Sequence, residues 1–216
     1  MTTVQEVVEQ VLARLEVKNQ IRDETLQRSR ELIRTCALIT RAIHRQAWEQ
    51  AHSLLEQARA QAQAMISPLE AHPDIYYTGY TSDALKEWVE AETLYAIVVG
   101  GTLPTPEDLA VPDGVYLGGI AEAATELRRH ILDLMRQGRL EEAERLLNWM
   151  DDIYDALILV DYPDAITGGL RRAVDVLRGV LERTRGDLTL TWQHHRLTTA
   201  LRNAEQRWST ANDTEG

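Results

Sequence analysis

The stretch Thr81-Ser-Asp-Ala-Leu-Lys-Glu-Trp-Val-Glu-Ala-Glu92 decides how the rest of the chain is interpreted. Its spacing predicts a helix on which Glu87 and Glu90, three residues apart, project from one side. The same side continues into Leu94 and Val98 rather than into further polar residues. The sequence therefore predicts that these carboxylates are not simply surrounded by water.

A second acidic pair follows in Gly119-Ile-Ala-Glu-Ala-Ala-Thr-Glu126, where Glu122 and Glu126 stand four residues apart. If the two helices pack with their acidic sides facing, four carboxylates form an oxygen-lined pocket of the kind that holds magnesium or manganese. Glu122 and Glu126 lie opposite an apolar stripe, as exposed residues usually do. That stripe consists of Leu117, Ile120, Ala124, Leu127, Ile131 and Leu134. A central cavity or a second molecule would be needed to enclose this pair.

Spacing by itself leaves a plainer interpretation open. The chain has 34 acidic residues among 216, so many pairs arise by chance, and acidic pairs on helices usually face water. Glu87, Glu90, Glu122 and Glu126 are therefore candidate ligands for Mg²⁺ or Mn²⁺ and candidate catalytic residues, not an established site.

Composition predicts an all-α protein with one domain. The chain has 44% hydrophobic and 26% charged residues, no Phe, and few Gly or Pro, a bias toward helix formers. We expect a single helical domain over residues 1–208 and a polar, disordered tail over residues 209–216.

The net charge of −11 argues against binding to nucleic acid or to anionic membranes by bulk attraction, so any RNA contact must be local. Cys36 has no second cysteine to pair with, which fits a reducing compartment and a buried structural side chain. The first ten residues show no basic region followed by an apolar core, and no run of about 18 apolar residues occurs. We therefore expect a cytoplasmic protein without a membrane span.

Apolar residues at intervals of three and four predict helices at about 4–17, 23–45, 47–66, 81–99, 115–137, 140–160, 165–184 and 188–208. The first two could join with little break. The second should carry its inward face at Leu26, Ile33, Ala37, Leu38 and Ile43. Gly168 and Gly169 suggest close approach of another backbone rather than a helix break.

The segment between Arg22 and Arg45 is the most basic part of the chain. Arg34, Arg41 and Arg45 share one face there, and guanidinium groups suit phosphate contacts, so these three are the candidate nucleic-acid-binding residues. Pairing with glutamates of neighbouring helices or subunits is the alternative. His44 could contact phosphate or act as a general acid, or it could simply be packed.

Several site classes find no support in the sequence. His194 and His195 are adjacent and point about 100° apart on a helix, no His or Cys spacing resembles a zinc site, and no Gly-rich phosphate loop or nucleophile elbow occurs. The run Arg136-Gln-Gly-Arg-Leu-Glu-Glu-Ala-Glu-Arg-Leu-Leu147 resembles a turn of a tetratricopeptide repeat, but no second copy follows at that period. A solenoid is therefore not expected.

Taken in order, four stretches resemble the translin and TRAX family, especially its archaeal and bacterial members. They are Tyr76-Tyr-Thr-Gly-Tyr-Thr-Ser-Asp-Ala-Leu-Lys-Glu-Trp-Val-Glu-Ala-Glu92, Tyr116-Leu-Gly-Gly-Ile-Ala-Glu-Ala-Ala-Thr-Glu-Leu-Arg-Arg129, Tyr154-Asp-Ala-Leu157 and the segment from Leu170 to Thr189. The resemblance implies a single-domain bundle of about seven helices. It also implies subunits that assemble into a closed shell, roughly an octamer, and bind RNA or single-stranded DNA.

The resemblance further implies that TRAX-type subunits are magnesium-dependent endoribonucleases whose carboxylates match Glu87, Glu90, Glu122 and Glu126. One position departs, because TRAX has an aspartate where this chain has Glu122. The basic, aromatic stretch of translin-type subunits is replaced by residues 74–80, which contain no Lys or Arg and favour the TRAX-like assignment. We expect a metal-dependent endoribonuclease acting on short or single-stranded RNA. A non-catalytic RNA or single-stranded DNA binder and a protein-interaction scaffold are the alternatives.

Overall fold

The architecture is all-α, as predicted. The computed structural model describes the backbone of residues 3–213 and the side chains of residues 3–209, and every regular element in that part of the chain is helical. The elements are α1 (Val4–His44), α2 (Trp48–Ile66), α3 (Pro73–Tyr76), α4 (Gly79–Val99), α5 (Pro106–Leu109), α6 (Asp113–Arg136), α7 (Leu140–Leu157), α8 (Asp164–Thr167) and α9 (Leu170–Asp213), with a 3₁₀ turn at Ser67–Leu69.

One hydrophobic core joins the long helices. Helix α1 packs on α2 and α4, α4 packs on α6, and α6 packs on both α7 and α9. Leu32, Ile39, Trp88, Leu127 and Ile131 are among the fully buried side chains between them. The prediction of one helical bundle is therefore confirmed. No helix within residues 3–213 combines the length and the hydropathy that a bilayer span requires.

Helix α1 is one continuous helix of 41 residues. The two segments expected at 4–17 and 23–45 join because no Gly or Pro lies between them. It begins at a capping box in which Thr3 and Glu6 satisfy each other's backbone amides.

The expected inward face of α1 was partly wrong. Leu38 is 41% exposed and Ala37 is also exposed, whereas the buried stripe is Leu32, Cys36, Ile39 and Ile43. Residues at intervals of four and three follow the groove between α2 and α4, and this register turns Leu38 outward. Cys36 is buried, as predicted.

The prediction for Gly168 and Gly169 was wrong. Both residues have positive φ, +60° and +83°, and they end α8 and precede α9, so the chain breaks here. A Cβ atom at either position would meet nothing within 4 Å, so no backbone approaches closely. Glycine is needed for the left-handed backbone instead.

Helix α9 then runs for 44 residues without the interruption expected near Gly186. Thr184 and Leu188 on either side of that glycine are buried, so packing on α6 and α7 keeps the helix continuous. Residues 209–213 of the expected tail are helical, and residues 214–216 lie outside the described residues.

Candidate functional site

Helix α4 carries Glu87 and Glu90 toward the interior side of the bundle. It buries Leu85, Trp88 and Val89, and this leaves the two glutamates on the flank that faces α6. Burial raises the pKa of Glu87 above its usual range, and the neighbouring charge of Glu122 raises it further. Glu87 is therefore not an ordinary solvated carboxylate.

Helix α6 supplies the second pair, and each of its two carboxylates has a partner. The Lys86 ammonium lies 2.9 Å from Oε1 of Glu122. Nε2 of His44 donates a hydrogen bond to Oε1 of Glu126 at 2.6 Å. The side chains of Glu122 and Glu126 are 38% and 32% exposed, so they are half-buried rather than on the fully exposed face that their position opposite the apolar stripe suggested.

The four carboxylates lie near enough to influence one another's charge. The pKa of Glu90 is raised to about 8. Burial is the largest cause, and the charges of Glu87, Glu122 and Glu126 follow it. Carboxylates repel one another in this way only when they lie close together in a partly dry site. The sequence-predicted pairs are therefore brought together across the α4–α6 contact.

A cavity of about 590 Å³ opens beside this cluster. Lys86 and Glu90 of α4 and Glu122 and Glu126 of α6 form one wall. The turn between α8 and α9 and the first turns of α9 form the other, and Arg172 lines the cavity from there. Three of the four predicted site residues thus face one space, and Glu87 is not among the residues that line it.

Close packing at Gly119 sets the separation of the two acidic helices. A Cβ atom placed on Gly119 would lie 2.5 Å from Cβ of Val89 and 2.9 Å from the carbonyl oxygen of Lys86. Only a glycine lets α6 approach the backbone of α4 so closely. The short contact brings the carboxylates of the two helices within reach of one another.

The donor set fits a hard divalent cation. Carboxylate oxygens are what Mg²⁺ and Mn²⁺ prefer, and the pKa of Glu90 is raised by burial and then by the charges of Glu87, Glu122 and Glu126. Among the described side chains, no three His, Cys, Asp or Glu groups are close enough together to hold one ion. To act as ligands, Glu122 and Glu126 must turn at least one oxygen away from Lys86 and His44.

His44 is packed rather than exposed. Its side chain is 4% exposed, and Nδ1 is buried without a hydrogen-bond partner among the described residues. The ring of His130 lies 6.3 Å away, and burial lowers the pKa of His130. His44 therefore holds Glu126 in place and does not reach the surface to meet phosphate.

The three candidate arginines do not line the cavity. Arg34 and Arg41 on α1 and Arg45 directly after it are exposed, and none forms an ion pair within residues 3–209. The expected alternative, pairing with glutamates of neighbouring helices, is thus not seen inside the chain. Their role toward nucleic acid stays a prediction.

Two cavity cations were not among the sequence candidates. Lys86 directly precedes Glu87, so its place beside a candidate acid could have identified it from the sequence. Arg172 gives no such signal, because only the turn at Gly168 and Gly169 brings α9 to this wall.

Cys36 of α1 is buried near the acids of α4. Burial and then the charges of Glu87 and Glu90 raise the pKa of its thiol.

Known proteins with similar sequences and structures place the fold in a family. No family model matches the chain. A protein of Methanocaldococcus jannaschii, itself uncharacterised, is 32% identical over 189 residues, which are 87% of this chain and 84% of that protein.

Three solved structures have the same fold. AfC3PO in complex with duplex RNA is 33% identical with a TM-score of 0.81, and AfC3PO in a separate crystal structure is 32% identical with a TM-score of 0.82. Apo-NeC3PO is 23% identical with a TM-score of 0.75, a likeness of fold alone. Each comparison covers 88% of this chain and 98% of the other. C3PO proteins are of the translin and TRAX type, and at this identity and coverage the chain belongs to the translin/TRAX family.

Proposed function

We propose that this protein is an endoribonuclease that depends on Mg²⁺ or Mn²⁺ and works inside an oligomeric shell, in which eight copies enclose the site. The observation that carries the proposal is that Glu90, Glu122 and Glu126 line one cavity, and that burial and the neighbouring carboxylates raise the pKa of Glu90 to about 8. Such a cluster is costly to fold without a cation, so a structural role alone does not account for it.

Each carboxylate has a part in this proposal. Glu87, Glu90, Glu122 and Glu126 would hold the cation, and Glu90 would give up its proton when the cation binds. When bound, the cation would activate a water and neutralise charge on the phosphodiester oxygens. Lys86 and His44 orient the α6 carboxylates from outside the ligand set.

The substrate would be held by positive charge on the cavity wall and along α1. Arg172 faces the cavity from the side opposite the acids, and a guanidinium there can hold a phosphate group by two hydrogen bonds. Arg34, Arg41 and Arg45 are free to contact RNA backbone further away. We propose RNA as the substrate because one AfC3PO structure is a complex with duplex RNA, and single-stranded DNA as a weaker ligand.

A non-catalytic RNA binder is the second candidate. The observation that favours it is that Glu122 and Glu126 already have partners in Lys86 and His44, so part of the acidic charge is neutralised without a metal. A binder of this kind would keep the RNA contacts and the assembly but would cleave nothing.

An assay with labelled RNA separates the two candidates. Single-stranded RNA and a short duplex of the same sequence are incubated with the protein and either magnesium or a chelator. The nuclease proposal expects cleavage only with metal, and loss of cleavage with retained RNA binding in Glu90→Gln. The matched control is Glu49→Gln, an exposed glutamate on α2, which should cleave at the wild-type rate. Binding without cleavage in every condition would favour the binder.

Light scattering tests the assembly separately. A closed shell of eight copies has a mass about eight times the 24.5 kDa of the chain. A mass near 24.5 kDa in both dilute and concentrated samples would contradict the shell and leave the carboxylate site to be judged by cleavage.

A further inference from the structure

The first turns of α1 extend beyond the core. Every residue from Thr3 to Gln20 is exposed, and the first fully buried residue of the helix is Thr25. Six apolar residues share one side of this segment, which we call the α1 overhang, and each is between 38% and 82% exposed. They are Val4, Val7, Val8, Val11, Leu12 and Leu15.

The last turns of α9 extend in the same way. Every residue from Gln193 to Ser209 is exposed, after the last buried residue at Leu188. Leu190, Leu197, Leu201 and Trp208 are 57–81% exposed, and their spacing of seven, four and seven residues puts them on one side. We call residues 193–209, together with Leu190, the α9 overhang.

Neither overhang would be a stable helix on its own. A helical segment of about 17 residues is only marginally stable alone in water, and an apolar stripe on it adds an unfavourable exposed surface. Within the described part of the chain, α1 packs on α2 and α4, and α9 packs on α6 and α7, and most of each overhang lies beyond those contacts. The exception is the base of the α1 overhang, where Leu15 lines a cavity beside Ile75. Both stripes are thus left for a partner.

The charges of the two overhangs are complementary. Between Thr3 and Gln20 there are three glutamates against Arg14 and Lys18, and Lys18 already pairs with Asp74. Between Gln193 and Ser209 there are three arginines against one glutamate, Glu205. Two copies of either overhang would bring like charges together, whereas one of each brings opposite charges together.

The overhangs leave the molecule at opposite ends. Lys18, at the base of the α1 overhang, pairs with Asp74 of α3. The other end of α1 lies at α6, where His44 contacts Glu126. Trp192, at the base of the α9 overhang, donates to Glu144 at 3.1 Å, close to the α6–α7 turn and therefore at that second end.

We infer that the α1 overhang of one copy packs along the α9 overhang of a second copy, head to tail. Similar lengths, exposed apolar stripes, opposite charges and opposite placement all fit this occupant. A head-to-tail contact closes into a ring when the rotation permits, and so it supplies a means of enclosing the site. The inference deepens the proposed assembly and is independent of whether the carboxylates cleave RNA.

Two double variants of the full chain test the pairing. Val11→Glu with Leu15→Glu disrupts the α1 stripe, and Leu197→Glu with Leu201→Glu disrupts the α9 stripe. All four residues are exposed and outside the core, so both proteins should fold, as circular dichroism would show. Each variant should have a smaller mass than the wild type by light scattering, and Asp155→Arg, an exposed change on α7, should not.

Mixing the two variants identifies the partner. A tagged chain with the disrupted α1 stripe should retain an untagged chain with the disrupted α9 stripe, because one intact overhang of each kind remains. Two copies of the same variant should not retain each other. An α9 variant of wild-type mass, or retention that is equal for mixed and identical pairs, would overturn the head-to-tail contact. Metal-dependent cleavage measured on the same samples judges the nuclease proposal separately.

Discussion

Glu90 holds its proton to an unusually high pH, and this links the site to stability. Burial and three neighbouring carboxylates raise its pKa from 4.5 to about 8 in the folded protein. Between those values the folded state binds more protons than the unfolded state. The free energy of unfolding should therefore fall as pH rises from about 4.5 to about 8.

Glu90→Gln should flatten that pH dependence. It removes the group that must ionise, so without metal at pH 8 the variant should melt about 2–4 °C above the wild type, which corresponds to about 1 kcal/mol for a chain of this size. Thermal melts with chelator between pH 5 and pH 8 measure this. A variant that melts below the wild type at pH 8 would show that the charge of Glu90 does not destabilise the folded protein.

His44 should matter through Glu126, because its hydrogen bond at 2.6 Å fixes one oxygen of that carboxylate. His44→Leu removes the donor and should weaken magnesium binding by about 10-fold or more, since partners of metal ligands commonly contribute that much. His44→Gln should recover part of the loss. His52→Leu, an exposed histidine on α2, is the control, and calorimetric titration is the measurement. Equal affinity in His44→Leu and the wild type would remove His44 from the site.

Residue spacing could predict the acids but not their partners. Glu87 with Glu90, and Glu122 with Glu126, could be paired from intervals of three and four along a helix. That Lys86 holds Glu122, and that His44 holds Glu126 from 82 positions away, depends on which helices pack and how closely. Periodicity along one helix carries no such information.

At the scale of elements, the contact between α4 and α6 sets the geometry of the site. Gly119→Ala would put a methyl group against Val89 and the Lys86 carbonyl, so the helices must move apart. We expect a loss of about 1–3 kcal/mol in the free energy of unfolding and weaker metal binding.

Gly118→Ala is the matched control for this change. Its added Cβ would meet only the flexible Lys86 side chain, at 3.2 Å. Urea denaturation and metal titration of both variants compare the two sites. Equal behaviour of the two variants would mean that close packing at Gly119 is not what spaces the carboxylates.

The turn between α8 and α9 gives a second paired test. Gly169 has φ of +83°, so Gly169→Ala should lower the free energy of unfolding by about 1 kcal/mol. Gly186 lies inside α9 with open space around it, so Gly186→Ala should raise it by about 0.5–1 kcal/mol. Urea denaturation measures both. Stabilisation by both substitutions would contradict the left-handed turn.

The sequence predicted which segments are helical, but not where one helix ends and the next begins. Intervals of three and four residues indicated the long helices correctly, because each buries an apolar stripe. The interruption expected near Gly186 and the continuity expected through Gly168 and Gly169 were both wrong. Gly186 stays helical between buried Thr184 and Leu188, whereas Gly168 and Gly169 adopt positive φ and end α8. The residue type alone does not tell which of the two a glycine will do.

For the whole molecule, composition predicted the all-α class, and the ordered stretches predicted the translin/TRAX family. The ends of α1 and α9 show the limit of this reasoning. Their apolar stripes predicted amphipathic helices, and only the folded chain shows that Val8 and Leu201 stay exposed among the described residues. Contacts between copies leave no separate mark in the apolar pattern.

The central claim is that Glu87, Glu90, Glu122 and Glu126 act together as the metal site of a nuclease. The most direct measurement is single-turnover cleavage of labelled RNA with saturating magnesium, comparing the wild type with a variant in which all four are replaced by Gln. We predict that the variant cleaves no faster than the wild type in chelator and binds RNA as tightly as the wild type. Cleavage by the variant at the wild-type rate would contradict the claim.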